Sequence, residues 1–125
     1  MSAWRRTALE GLPDFRTLID RASSPMALWI DLLAEFQEAF SRDDSNLIGK
    51  MLSYARWCWR SPDGDTVNAV ACAFYEHLPD HGGMRRAIPR WFTKEEFEEL
   101  RSVFEYHSGA AIVSEIEKEY WFART

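Results

Sequence analysis

The side chains of this chain best suited to moving a proton or holding a metal are three histidines, His77, His81 and His107. Two of them fall in one run, Cys72-Ala73-Phe74-Tyr75-Glu76-His77-Leu78-Pro79-Asp80-His81, which also carries a thiol and two carboxylates at close spacing. A zinc site gathers three or four such donors, usually at a recognisable helical or knuckle spacing. Here Pro79 parts the two histidines, and neither His-Glu-x-x-His nor a paired Cys-x-x-Cys occurs. The spacing therefore predicts no metal, and no motif implies a cofactor. His77 and His81 read instead as capping groups at a helix end, where a cationic imidazole meets the negative end of the helix dipole.

Glu76 poses a sharper question. It sits among apolar neighbours, and a carboxylate taken out of water destabilises a fold unless a cation or hydrogen-bond donors meet it. Arg85, Arg86 and Arg90 follow within a short segment, which predicts an ion pair between Glu76 and one of them. Arg90 is favoured, because Pro89 and Trp91-Phe92 hold its segment in place and its planar fork suits both carboxylate oxygens. The catalytic reading of the same residues is an acid/base pair of Glu76 with His77 or His107. Covalent chemistry would also need a nucleophile, and Ser61, Ser102, Ser108 and Ser114 stand in no nucleophile elbow or triad-like setting.

Arg85, Arg86, Arg90 and Lys94, interleaved with Trp91 and Phe92, are the one nucleic-acid-like feature. The charge around them has the wrong sign for a phosphate backbone: the chain carries −5 overall, and residues 95–119 hold eight acids against Arg101 and Lys118. Gly82-Gly83 lacks the Gly-x4-Gly-Lys-Ser/Thr pattern of a phosphate loop and follows no strand. No nucleic-acid partner is expected. Residues 1–62 are balanced at eight basic and eight acidic side chains, so the negative excess lies wholly in 63–125, with seven against twelve. Such a face either keeps helices in solution or docks a basic protein.

The elements that place these residues are helices. Apolar residues recur at three- and four-residue steps over about 13–22, 25–42, 46–60, 66–78, 93–107 and 110–122, and the connections are short. Ser24-Pro25, Asp43-Asp44-Ser45 and Thr93-Lys94-Glu95-Glu96 are helix-start signals, and Ser108-Gly109 is a stop. Residues 1–13 show no period and read as a loose arm; 84–87 read as a single turn within a loop. The stretch 46–60 is apolar around most of its circumference, which predicts a central helix. Trp29, Phe36, Met51, Leu52, Val70, Phe74, Phe97, Leu100 and Ile116 are the expected core. Six Trp, eight Phe and four Tyr supply large rings for it. The expectation is one all-α domain over 1–125, a compact array of about six helices.

Cys58 and Cys72 form no disulfide framework, and Trp4-Arg5-Arg6 leads into no apolar secretory segment, so free thiols in a reducing cytoplasm are expected. No apolar run approaches the roughly 20 residues of a membrane span.

The run Tyr75-Glu76-His77-Leu78-Pro79, then Ile88-Pro89-Arg90-Trp91-Phe92 and Phe104-Glu105-Tyr106-His107, with Met26-Ala27-Leu28-Trp29 ahead of them, resembles a family of small helical bacterial proteins with no assigned activity. The resemblance spans about residues 25–107 and implies no catalytic residues. In size and acidity the chain is also similar to helical immunity proteins that neutralise toxins. Together these readings predict a non-enzymatic protein-interaction domain, using the acidic helices against a basic partner, with toxin neutralisation as one concrete version. The alternative is a small helical enzyme or ligand-binding protein in which Glu76, His77, Arg90 and His107 line a pocket. Glu76, His77, His81, Arg90, Trp91 and His107 are the candidate functional residues.

Overall fold

A computed structural model describes residues 1–122, and among them every regular element is helical: eight α-helices and two 3₁₀ helices, with no strand. Two of those α-helices go beyond the six expected, and they occupy the stretches read from sequence as a loose arm and a loop. The chain forms two compact units that divide after Phe74.

In the first unit, α1 (Ala3–Gly11) replaces the expected loose arm. Only Ala8 and the following Leu12 are buried, too few apolar positions to mark a helix in sequence. Polar clamps hold it instead. The Arg5 guanidinium donates to the main-chain oxygens of Ile19 at 2.6 Å, Asp20 at 3.0 Å and Ala22 at 2.8 Å. Those carbonyls lie at the C-terminal end of α2 (Arg16–Arg21), where main-chain oxygens lack full intrahelical partners. The Tyr54 hydroxyl donates to the Trp4 carbonyl at 2.8 Å, tying α1 to α4.

The next helices start where the caps predict. Ser24 accepts from the Ala27 amide ahead of α3 (Pro25–Ser41), and Asp44 accepts from Leu47 ahead of α4 (Ser45–Trp59). Asp43, between them, turns the chain through a positive φ of 56°. α5 runs from Gly64 to Ala73. The Phe74 ring packs against both Trp29 and Phe36, tilted at 4.7 Å between centroids on the first and edge-to-face at 4.9 Å on the second. Leu32, Met51 and Val70 are fully buried with them.

In the second unit, a 3₁₀ helix covers Tyr75–Asp80. The α-helix expected to continue to residue 78 breaks at Phe74, whose φ of −128° and ψ of −70° leave the helical basin. α6 (Gly82–Trp91) then stands where a loop with one turn was expected. Gly82, Gly83 and Pro89 argue for a loop in sequence. The glycines, however, occupy the first turn behind a His81 cap, and Pro89 falls in the last turn, where it forfeits a single intrahelical bond. α7 (Lys94–Ser108) opens on the capping box foreseen: Glu96 N–H to Thr93 Oγ1 at 3.1 Å and Thr93 N–H to Glu96 Oε1 at 2.9 Å. Gly109, at a φ of 89°, ends it in a conformation that suits glycine. α8 (Ala110–Phe122) packs Val113, Ile116 and Tyr120 inward. The Tyr120 hydroxyl donates to the Phe92 carbonyl at 3.0 Å, and its ring lies 5.0 Å from Phe97.

Every residue expected in the core is buried. No helix among the described residues is long and apolar enough to cross a membrane.

Candidate functional site

The break at Phe74 changes the geometry of everything after it. A 3₁₀ helix has three residues per turn, so side chains three apart stand directly above one another. His77 and Asp80 therefore face each other, His77 Nδ1 lying 3.3 Å from Asp80 Oδ2. An α-helix would have set them about 60° apart around its axis. The segment is anchored from α6, where Arg85 Nε donates to the Pro79 carbonyl at 2.9 Å.

The third member arrives from a distance in sequence. His107, in the last turn of α7, places Nε2 3.0 Å from the same Asp80 oxygen. Its ring meets that of His77 edge-on, centroids 4.9 Å apart and planes at 65°. On the far side, His107 Nδ1 lies 3.9 Å from Glu76 Oε1, an ion-pair distance and not a hydrogen bond. Glu76 is the most enclosed of the four, its side chain 14% exposed, while His77, His107 and Asp80 stand at 33%, 38% and 47%. Two imidazoles thus surround one carboxylate oxygen at a solvent-facing rim, and a second, half-buried carboxylate backs one of them.

Three of the four residues expected to line a pocket therefore converge: Glu76, His77 and His107. Arg90 does not join them. It is exposed at the end of α6, with Trp91 half-buried beside it. His81 is also elsewhere, its Nδ1 accepting from the amides of Gly83 at 3.1 Å and Met84 at 3.3 Å as the cap of α6. Cys72 bonds back to Asn68 on its own helix.

The expected pair between Glu76 and an arginine is corrected by the structure. Among the described residues the basic side chain facing Glu76 is His107. Arg85 is spent on the Pro79 carbonyl and lies 4.0 Å from Glu115. The reason is α6. A loop could fold three arginines back over Glu76, but a helix distributes residues 85, 86 and 90 around its axis. Asp80 is the residue that sequence reasoning undervalued. Its signal is the i, i+3 spacing to His77, legible only once the segment is known to be 3₁₀.

Chemically, such a cluster can relay a proton, form a charged pair or hold a cation. It has no nucleophile at hand among the described residues. Ser108, beside His107 in sequence, has its hydroxyl oxygen buried with no hydrogen-bond partner, so no base activates it.

Away from the cluster, Arg101 gathers the acids of α7 and α8. It donates to Glu98 at 2.9 and 3.0 Å and to Glu117, and lies 3.8 Å from Glu105. The hydrogen bond from Arg101 holds the Glu98 carboxyl below its usual range, and that same bond raises the guanidinium.

Comparison with known proteins returns one family. The model of a domain of unknown function, DUF7674, matches residues 5–109, from within α1 to the glycine that ends α7. No curated protein and no solved structure matches the chain.

Proposed function

We propose, for a chain that belongs to the DUF7674 family of domains of unknown function, that it is a non-enzymatic interaction domain whose acidic α7–α8 face docks a basic protein. One observation carries the reading. Glu95, Glu99, Ser102 and Tyr106 follow one another along α7 at steps of four, three and four residues, all exposed, on the side opposite the buried Phe97, Leu100 and Phe104. Tyr106 stands 84% exposed at the end of that stripe. A tyrosine ring held out in water contributes nothing to a core, whereas in interfaces it supplies rigid contact area with a polar tip. At the other end, Lys94, Glu95, Glu98 and Glu99 border a shallow depression of about 500 Å³. Glu115 and Glu119 add exposed acids on α8. A basic partner would be steered to such a face and would bind in a salt-dependent way. Toxin neutralisation is the concrete version in which the partner is a basic toxin.

The test is a photo-crosslinking residue in place of Tyr106, introduced in cells of the source organism, followed by affinity measurement on the captured partner. Binding should fall at least tenfold with Glu95→Lys combined with Tyr106→Ala, and should weaken as salt rises. A captured partner whose affinity ignores both changes would overturn the reading.

A second reading, a small helical enzyme or ligand-binding protein at the 76–107 corner, is supported by the convergence of His77 and His107 on Asp80, with Glu76 on the far side of His107. Arg90 drops out of it.

A further inference from the structure

We infer that His77, Asp80 and His107 form a binding site for one divalent transition-metal ion of the zinc class, with Glu76 as the positioning residue behind it. The inference deepens the second reading and rests on it: the corner must be a ligand site for the ligand to be a metal.

The donor set is the first argument. Two imidazoles and a carboxylate are ligands that borderline divalent ions accept together, whereas calcium and magnesium prefer oxygen alone. Geometry is the second. A zinc ion sits about 2.0–2.2 Å from nitrogen and oxygen ligands, so tetrahedral donors stand roughly 3.4 Å apart. Asp80 Oδ2 lies 3.3 Å from His77 Nδ1 and 3.0 Å from His107 Nε2. One nitrogen of each imidazole and one Asp80 oxygen all fall within 4.8 Å of one another. Rotation of the two partly exposed rings about their side-chain bonds closes the remaining gap.

Glu76 supplies the third argument, and it points to a ligand independently of the other two. Metal-bound histidines commonly direct their second nitrogen at a carboxylate, which fixes the tautomer and strengthens the ligand. Glu76 Oε1 stands on that side of His107, 3.9 Å from Nδ1, outside hydrogen-bond distance until the partly exposed ring turns toward it. With a metal bound, a carboxylate on that side would favour the imidazole tautomer with its proton on Nδ1, which frees the Nε2 lone pair for the ion. In the neutral ring the proton only changes nitrogen, and none is created or lost. His77 would likewise carry its proton on Nε2 and offer Nδ1.

Three protein ligands leave the remaining coordination positions to water, because His77, Asp80 and His107 are all partly exposed. This is an open site of the kind that can take a further ligand, not a closed structural one. The sequence argued against it because Pro79 parts His77 from His81 and no ligand motif occurs; in the structure His81 is a cap. The true second histidine lies 27 residues after Asp80.

The experiment is calorimetric titration of zinc chloride into the chelator-stripped full chain, with imidazole resonances followed by NMR. Binding should saturate near one equivalent and raise Tm. His77→Gln, His107→Gln and Asp80→Asn should each abolish it, and Glu76→Gln should weaken it about tenfold or more. His81→Asn, which keeps a capping side chain, should leave it unchanged. Since Asp80 is exposed, its variant guards against a loss caused by misfolding, and each variant's metal-free Tm is compared with that of the parent. Absence of saturation, or binding retained in the His77→Gln/His107→Gln double variant, would overturn the metal. A parallel titration with inorganic phosphate separates the two levels. Imidazole resonances moved by phosphate but not by zinc would sink the metal and spare the ligand site; resonances moved by neither would sink both.

Discussion

The two units differ in where their interacting titratable groups gather. In the first, polarity is taken inside and kept neutral. Tyr54, Cys58 and the indole of Trp29 lie together in the core, with Trp29 and Tyr54 stacked at 5.4 Å. Burial pushes the Cys58 thiol up to about 11 and the Tyr54 hydroxyl higher still. The Trp29 N–H has no hydrogen bond of ordinary geometry, yet it is near enough to the Cys58 sulfur to oppose part of that rise. The second unit takes the Tyr120 hydroxyl inside in the same way, but its charged and imidazole groups gather at the rim: His77, His107 and Asp80 in one cluster, Arg101 with its three glutamates in another. Neutral groups in a dry core serve stability. Ionisable groups gathered at a surface, with water on one side, are where exchange with a ligand is possible.

The difference is broken or confirmed most forcefully at Phe74. Its ring is fully buried between Trp29 and Phe36. Phe74→Ala should cost about 3–5 kcal/mol, the transfer and cavity contributions together. A denaturant midpoint close to that of the parent would mean that the first unit does not depend on this aromatic stack.

Next in size is an alkaline loss of stability. Cys58, Tyr54 and Tyr120 all have their pKa raised in the folded chain, chiefly by burial, so folding favours their neutral forms. The unfolded chain ionises first, near the ordinary values of 9.0 for the thiol and 10.0 for the hydroxyls. The stabilisation is therefore whole below pH 9 and is lost as pH rises from there through about 11, the folded value of Cys58. For Cys58 alone the loss is on the order of 2 kcal/mol. Cys58→Ala should flatten the first part of the decline in a pH series of urea unfolding curves. An unchanged slope would remove the thiol from the account. Cys72, half-buried and bonded to Asn68, should be modified by a thiol reagent well before Cys58.

Smaller still are single hydrogen bonds. Tyr120→Phe strips the donor from the buried Phe92 carbonyl and should cost about 1–2 kcal/mol. Thr93→Ala removes half of the capping box of α7 and should cost about 1 kcal/mol. Equal losses at the two sites would indicate that Tyr120 finds no dry environment.

These cases also show what the sequence could and could not tell. Helix starts at Ser24, Asp44 and Thr93 were legible because a cap is a local interaction, made within three residues of chain. So was the core, since a large ring at helical spacing has few alternatives to burial. α1 was not, because Arg5 holds it to carbonyls 14 to 17 residues away and leaves almost no apolar period. α6 was hidden by residues that break helices in general but sit at its two ends, where little is broken. The cluster was half legible: Glu76, His77 and His107 were marked, but their meeting point depends on a change from α to 3₁₀ at Phe74. That change is a tertiary outcome, because it lets Pro79 and Leu78 both be buried.

The smallest expected effect lies in the cluster itself, and it tests the comparison from the other side. If the rim groups are placed for a ligand, the fold should hardly need them. Asp80 is 47% exposed and His107 38%, and exposed ion pairs contribute about 0.2–1 kcal/mol, less as salt rises. Asp80→Asn should therefore move metal-free stability by less than about 1 kcal/mol, and high salt should shrink the change further. Glu76, mostly enclosed, should matter somewhat more, since its loss removes the counter-charge behind His107. The measurement is denaturant unfolding of each variant in chelator, at low and high salt. A loss of 3 kcal/mol or more at Asp80, on the order of that for a broken buried pair, would make the cluster a structural keystone. The second unit would then resemble the first in using its polar groups for stability, and the argument for a ligand at the corner would lose its footing.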